Sequence, residues 1–306
     1  MEPIKRLSDL PLFLQEGGLS ATMAVAWAQD PHTIEAVVQA ARAGIARIRL
    51  LGNPQTIATL LEEHQAGDLP GLEILDAPDA QTAIARAVAM VRSGEAQVLM
   101  KGLVNTDDFL RHVLAREGGL MKPKSTLTYA CAMDIPSHPK LFLISDPAVL
   151  PFPSLEQKLE MLGHLVGLAH DLGIEEPRVA IVAASEKVSG ALPSTMDAAT
   201  LCTWARRGRW PGAIVDGPLD IFAALTPDGA EIKGIQTPIH GDADALLFPS
   251  LDSCNTFYKG LLALTGGHLA GLLQGTTHPV VVMSRSEDPL SKFYCIALAV
   301  LQANRS

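Results

Sequence analysis

The feature that most narrows what this chain can fold into is an alternation sustained along most of its length. Short β-rich runs, several of them almost wholly apolar, are separated by longer segments with helical spacing. The runs are IARIRLLG (45–52), LEIL (72–75), AQVLMKG (96–102), KLFLIS (140–145), RVAIVAA (178–184), GAIVDG (212–217), ADALLF (243–248) and HPVVVMS (278–284). Unbroken apolar runs fit parallel strands covered on both faces, whereas half-exposed strands alternate apolar with polar residues. Helical spacing occupies 31–43, 54–65, 79–93, 106–117, 154–172, 194–208, 255–265 and 289–303. The pattern predicts an α/β chain built as a three-layer α/β/α sandwich.

Start signals mark several of these helices. Asp30-Pro31 and Asp288-Pro289 each set a capping carboxylate before a proline at the first helical position, and Ser154 with Gln157 and Ser194 with Asp197 have capping-box spacing. The 306 residues suffice for two medium domains. The turn formers of 134–140, between two strand-like runs, place a domain crossing there. No internal repeat or low-complexity segment is present.

Composition removes several functions. With 48% hydrophobic and 19% charged residues the chain is globular, not disordered. A net charge of -9 argues against a nucleic-acid surface, which needs clustered cations. The N-terminal residues lead into no apolar stretch of signal-peptide length, and no window reaches the roughly 18 apolar residues of a membrane helix, so a cytoplasmic protein without membrane partners is expected. Cys131, Cys202, Cys254 and Cys295 lie far apart, and the nine histidines show no metal spacing; neither a disulfide framework nor a metal site is expected. A polyanionic small ligand needs only a local basic pocket, for which Lys101, Arg111, Arg116, Lys122, Lys124, Arg285 and Lys292 are candidates.

In open α/β sheets ligands bind beyond the carboxyl ends of strands, where helix N-termini attract anions. Two loops qualify. In Met100-Lys101-Gly102-Leu103-Val104-Asn105-Thr106 a buried strand ends on a lysine, glycine permits a tight turn, and Asn105 or Thr106 opens the next helix. A phosphate fits against Lys101 and the helix start; equally, Thr106 is a plain N-cap and Lys101 a solvated strand end. The second loop, Ser284-Arg285-Ser286-Glu287-Asp288-Pro289, joins a serine to an arginine whose planar fork suits phosphate or carboxylate oxygens. Glu287 and Asp288 oppose an anion there and offer Arg285 an alternative surface partner. The glycine-rich 266–275 run is not G-x-G-x-x-G and reads as structural, small residues letting a helix approach strands. P-loop and nucleophile-elbow motifs do not occur. His240 is the one histidine to watch.

Taken together, these segments resemble the phosphate acetyl/butyryl transferase family, and its butyryl branch above all. The similarity includes DPHTIEAVVQAARAGIARIRLLG (30–52), LMKGLVNTDDFLRHVL (99–114), LEQKLEMLGHLVGLAHDLGIEEPRVAIVAASEKV (155–188), STMDAATL (194–201), IVDGPL (214–219), GDADALLFP (241–249), NTFYKGL (255–261), LAGLLQGTTHPVVVMSRSE (269–287) and SKFYCIALA (291–299). The resemblance implies an isocitrate/isopropylmalate dehydrogenase-like fold of two α/β domains, domain I at 1–138 plus 284–306 and domain II at 139–283, with the active-site cleft between them. It further implies a homodimer or larger homo-oligomer and an acyltransferase that needs no metal or bound cofactor. Its substrates would be coenzyme A, acyl phosphate and inorganic phosphate. Carried over by motif, Lys101, Ser284 and Arg285 are the catalytic candidates. Gly102, Asn105, Thr106, Thr128, Asp146, Asn255, Lys259 and Ser291 are the substrate-binding ones. Such catalysis is proximity plus charge stabilisation.

The chain departs from the family pattern at three positions. Leu150 stands where the family has asparagine, four residues beyond the aspartate of Ser145-Asp146. Phe222 stands where G-P-L-x-x-D has aspartate, unless a shift brings Asp220 into its place. Ser291 replaces the aspartate of acetyl-specific relatives, as in the butyryl branch. Leu150 and Phe222 hint at a bulkier acyl group if they face the ligand. The alternative is a degenerate relative that binds coenzyme A or acyl-CoA as a sensor. A third reading, an NAD-dependent dehydrogenase of the same fold, is disfavoured because the metal-binding aspartates such hydroxy-acid enzymes require are not recognisable in this chain.

Overall fold

The computed structural model describes residues 2–284 and 287–305. In chain order its elements are α1 (Asp9–Glu16), β1 (Ala21–Ala26), α2 (Pro31–Arg42), β2 (Ala46–Gly52), α3 (Pro54–Glu63), β3 (Leu72–Asp76), α4 (Ala80–Ser93), β4 (Val98–Lys101) and α5 (Thr106–Val113). There follow β5 (Thr128–Asp134), β6 (Phe142–Ser145), α6 (Leu155–Asp171), β7 (Arg178–Val182), α7 (Pro193–Arg206), β8 (Ile214–Leu219), α8 (Ile221–Leu225), α9 (Pro227–Ile232), β9 (Ala245–Leu247) and α10 (Leu251–Thr265). The chain ends with β10 (His268–Gln274), β11 (Val280–Val281) and α11 (Pro289–Ala303).

These elements form two compact units. The first comprises Arg6–Leu127 and the residues from Leu269 onward; the second comprises the residues through Lys5 and Thr128–His268. The divisions therefore fall at 5/6, 127/128 and 268/269, where the sequence reading set 138/139 and 283/284. The 134–140 stretch is a connection inside the second unit: β5 runs into it and β6 returns antiparallel, with Ala130 opposite Ser145.

In the first unit the strand order is β3-β2-β1-β4-β11-β10. Pairing is parallel from β3 through β11, and β10 runs antiparallel to β11. β1 leaves through α2 towards β2, while β4 leaves through α5, so the winding direction changes between β1 and β4. That is the kind of position where open α/β sheets form ligand crevices. In the second unit the order is β5-β6-β9-β7-β8, parallel from β6 to β8. β4 and β6 are buried at every residue, so both pleat faces are covered, as their apolar runs predict.

The proline-marked starts behave as predicted. Asp30 accepts the Thr33 N–H, Asp288 accepts the Ser291 N–H, and Ser154 forms a reciprocal capping box with Gln157. Ser194 and Asp197 do not cap α7. Pro193 takes the first helical position, the flanking residue is Leu192, and Asp197 instead holds Lys158 Nζ at 2.6 Å. The 266–275 run is also corrected, because its centre is strand β10. Gly266, at φ 65, ends α10 in the left-handed conformation that glycine adopts without penalty.

Candidate functional site

In the first unit the loop after β4 is tied to the end of β1. Gly102 N–H donates to Ala26 O at 3.0 Å, and Leu103 N–H to Trp27 O at 2.9 Å. A Cβ at position 102 would lie 2.4 Å from Trp27 O, so glycine is required by close approach. Lys101 is only 7% exposed, and its ammonium donates to Gly102 O at 3.2 Å and Val104 O at 3.1 Å. The alternative of a solvated strand-end lysine is thereby overturned: the loop's carbonyls hold the cation in place. Asn105, not Thr106, caps α5, its Oδ1 accepting the Asp107 N–H at 2.8 Å, while Thr106 is the exposed first helical residue. Arg111, among the basic candidates, pairs with Asp108 at 2.9 Å.

The loop after β11 belongs to the same unit. Ser284 is exposed, with its N–H on Glu287 Oε2 at 2.8 Å. Arg285 lies outside the described residues. Asp288 caps α11 with both oxygens: Oδ1 accepts the Ser291 N–H at 2.9 Å and Oδ2 the Ser291 hydroxyl at 2.7 Å. Ser291 Oγ also accepts the Leu269 N–H at 3.3 Å, and the residue is 1% exposed, so its hydroxyl serves helix start and strand together. Lys292, 4% exposed, donates to Glu287 O at 2.9 Å.

The remaining candidates lie in the second unit. Thr128 is fully buried at the start of β5, its hydroxyl 2.8 Å from His164 Nδ1 on α6. Asp146 follows β6 and is 1% exposed. Oδ1 accepts the N–H groups of Ala148 at 2.8 Å and Val149 at 2.9 Å; Oδ2 accepts those of Tyr129 at 3.1 Å and Leu150 at 3.3 Å. Burial pushes this carboxyl up to about 6, against the lowering pull of those four donors. Asn255, on α10, donates to Pro147 O at 2.8 Å, and Lys259 is exposed on the same helix with its ammonium 5.9 Å from the Tyr258 ring centroid. Leu150 is half-buried, whereas Phe222 is 68% exposed on α8. Asp220 caps α8 through the Ala223 N–H at 2.8 Å and pairs with Lys233, which also holds Glu186 at 2.6 Å. Burial raises Asp220, but the Ala223 N–H and Lys233 outweigh it and leave the carboxyl below its ordinary value.

Sequence reasoning missed Trp27. It sits at the end of β1 with φ 61, a conformation that bulky residues rarely adopt, and its carbonyl takes both the Leu103 and the Gln29 N–H at 2.9 Å. The apolar run ATMAVA was the available signal, but alanine-rich strands have little β character. The four cysteines are buried and none is in a disulfide among the described residues. Among the described residues no group of three or more His, Cys, Asp or Glu could hold a metal ion, and no helix is long and apolar enough to cross a membrane.

A winding reversal brings together a buried lysine, a glycine-tightened turn and a capped helix start at the carboxyl end of β4, in an α/β protein of open-sheet type. Comparison with known proteins identifies its kind. Residues 78–300 match the family described as Phosphate acetyl/butaryl transferase. The chain is 38% identical to the phosphate acetyltransferase of Thermotoga maritima over 286 residues, 94% of this chain and 96% of that protein. It is likewise 38% identical to the phosphate butyryltransferase of Clostridium acetobutylicum over 281 residues, 92% and 93% of the two chains. The crystal structure of a branched-chain phosphotransacylase from Enterococcus faecalis superposes with a TM-score of 0.81 at 26% identity, covering 92% of this chain and 98% of that one. The chain belongs to the phosphate acetyl/butyryl transferase family, and is thus an acyltransferase.

Proposed function

We propose that the chain transfers a short acyl group between coenzyme A and phosphate, acyl-CoA + phosphate = acyl phosphate + CoA. The carrying observation is Lys101, a buried ammonium fixed by the carbonyls of its own loop beside the capped start of α5. A phosphate placed there meets a cation and helix N–H groups that need no rearrangement as charge develops. Gly102 keeps the loop against β1, and Asn105 and Thr106 set the helix end that faces the anion. Ser284 and Arg285 are assigned to the phosphoryl or carbonyl oxygens. In the direction of acyl-CoA synthesis the coenzyme A sulfur attacks the acyl carbonyl. The carbon–sulfur bond forms, the carbon–oxygen bond to phosphate breaks, and the thiol proton leaves to phosphate or solvent.

The two units are read as the two domains of an isocitrate dehydrogenase-like α/β/α fold, in a cytoplasmic homo-oligomer. Thr128, Asn255 and Lys259 are the second unit's contribution, Asp146 holds the turn whose Pro147 carbonyl Asn255 grips, and Ser291 is assigned to hold the α11 start rather than substrate. Leu150, standing where the resemblance implies an asparagine, is read as favouring a butyryl-like acyl group. The sensor alternative gains nothing from relatives that carry transferase names.

The test is release of free coenzyme A from acetyl-, propionyl-, butyryl- and isovaleryl-CoA, each with and without phosphate. Phosphate-dependent release, fastest with the longer chains, is expected. Tight coenzyme A binding with no release from any of the four would replace the transferase with the sensor.

A further inference from the structure

The turn after β6 is wound on its own first side chain. Asp146 points back under Pro147–Leu150 and collects three of that turn's N–H groups, plus the Tyr129 N–H of the neighbouring β5. Ser145 Oγ donates to Tyr129 O at 3.0 Å, closing the same junction from the other side. α10 grips the outside of the turn: Asn255 Nδ2 donates to Pro147 O at 2.8 Å and Leu251 N–H to Pro151 O at 3.1 Å. A carboxylate that is 1% exposed and already holds four N–H donors has little capacity left for a ligand. What it governs is the backbone of Ala148, Val149 and Leu150, the last standing where the resemblance implies an asparagine.

We propose that Asp146 is a positioning residue, not a substrate contact: its carboxylate fixes the Pro147–Leu150 turn, and through that turn sets Leu150 as the side chain that favours longer acyl groups. The inference rests on the transferase reading. Protonation would replace an acceptor lone pair with a donor facing N–H groups, loosening the turn, and burial places that event near pH 6. The titratable group coupled to Asp146 across the turn is a thiol. Cys254 on α10 is held well above its ordinary value by burial, with Cys131 of β5 and Asp146 itself adding to the effect. On α6, His164 is engaged with Thr128, one residue from Tyr129. β9, Ala245–Leu247, carries no ionisable side chain.

The experiment compares kcat/KM for butyryl-CoA and acetyl-CoA in the wild type, Asp146→Asn, Leu150→Asn and the double variant, from pH 5 to 8. A misplaced binding group costs about 10- to 100-fold. The expected result is that loss for butyryl-CoA in Asp146→Asn, a much smaller loss for acetyl-CoA, and no further change of the ratio in the double variant. In the wild type the butyryl-to-acetyl ratio should fall as pH drops through about 6. Equal losses for both substrates, or no loss, overturn the proposal. If Asp146→Asn does not fold, the wild-type ratio decides alone, and a ratio flat across pH 6 overturns it. Absence of phosphate-dependent release in the wild type would instead sink the transferase reading itself.

Discussion

Two turns at the carboxyl ends of parallel strands solve opposite electrostatic problems with the same material. After β4 the backbone turns its carbonyls onto a buried ammonium, Lys101; after β6 it turns its N–H groups onto a buried carboxylate, Asp146. Carbonyl oxygens orient an ammonium, and the first turn is the one proposed to receive an anion. The second turn uses the acceptors of its carboxylate internally and is left as scaffold. A buried charge therefore does not by itself mark a ligand contact; four N–H donors already occupy the acceptors of Asp146.

The largest expected effect tests the first half of that contrast. Lys101→Ala should lower kcat/KM by about 100- to 1,000-fold, about 3–4 kcal/mol of transition-state stabilisation, the size of one preorganised donor. Steady-state kinetics with saturating phosphate check it. A variant within a few-fold of wild type would make Lys101 structural, like Asp146, and erase the distinction. Gly102→Ala attacks the same turn through its shape. With Trp27 O 2.4 Å from the new Cβ, the loop must leave β1, costing about 3 kcal/mol in denaturant unfolding, near the upper end for overpacking.

The second half of the contrast is tested by pH. The Asp146 pKa is raised on folding, from 3.8 to about 6. Its contribution to stability is therefore fully present below about pH 4 and is lost as pH rises through about 6. Over that window the loss amounts to about 3 kcal/mol. Thermal melts from pH 4 to 7 should show this component in the wild type and not in Asp146→Asn. Acyl selectivity should move the other way, improving as the carboxylate ionises. A site that becomes more discriminating while its scaffold becomes less stable would separate Asp146 from an ordinary structural acid.

The same contrast explains what could be read from the sequence. Lys101, Gly102 and Asn105 were legible because a strand-ending lysine, a turn glycine and a cap are local signals, and Asp30-Pro31 and Asp288-Pro289 gave helix starts for the same reason. β1, β5 and β10 were not assigned as strands. Their residues are small or mixed, and what makes them strands is the neighbours they pair with. Asp146 was legible as a motif residue but not in its role, since four N–H groups converge on it only once the turn is wound. Ser291 was assigned to substrate on its place in a family pattern, yet its hydroxyl lies between Asp288 and the Leu269 N–H.

The smallest effect separates shape from charge within the first turn. Asn105 caps α5 through the Asp107 N–H, and truncating it to alanine should cost about 1 kcal/mol of stability. Aspartate caps as well as asparagine, so Asn105→Asp should keep the wild-type unfolding midpoint to within a few tenths of a kcal/mol. It would nevertheless set a fixed negative charge at the helix end that phosphate is proposed to approach, alongside Asp107 and Asp108 in the first turn. The expected signature is therefore a raised KM for phosphate with unchanged stability. If KM does not move, the anion binds away from the start of α5, and the kinship between this turn and the scaffold turn after β6 is closer than their opposite charges suggest.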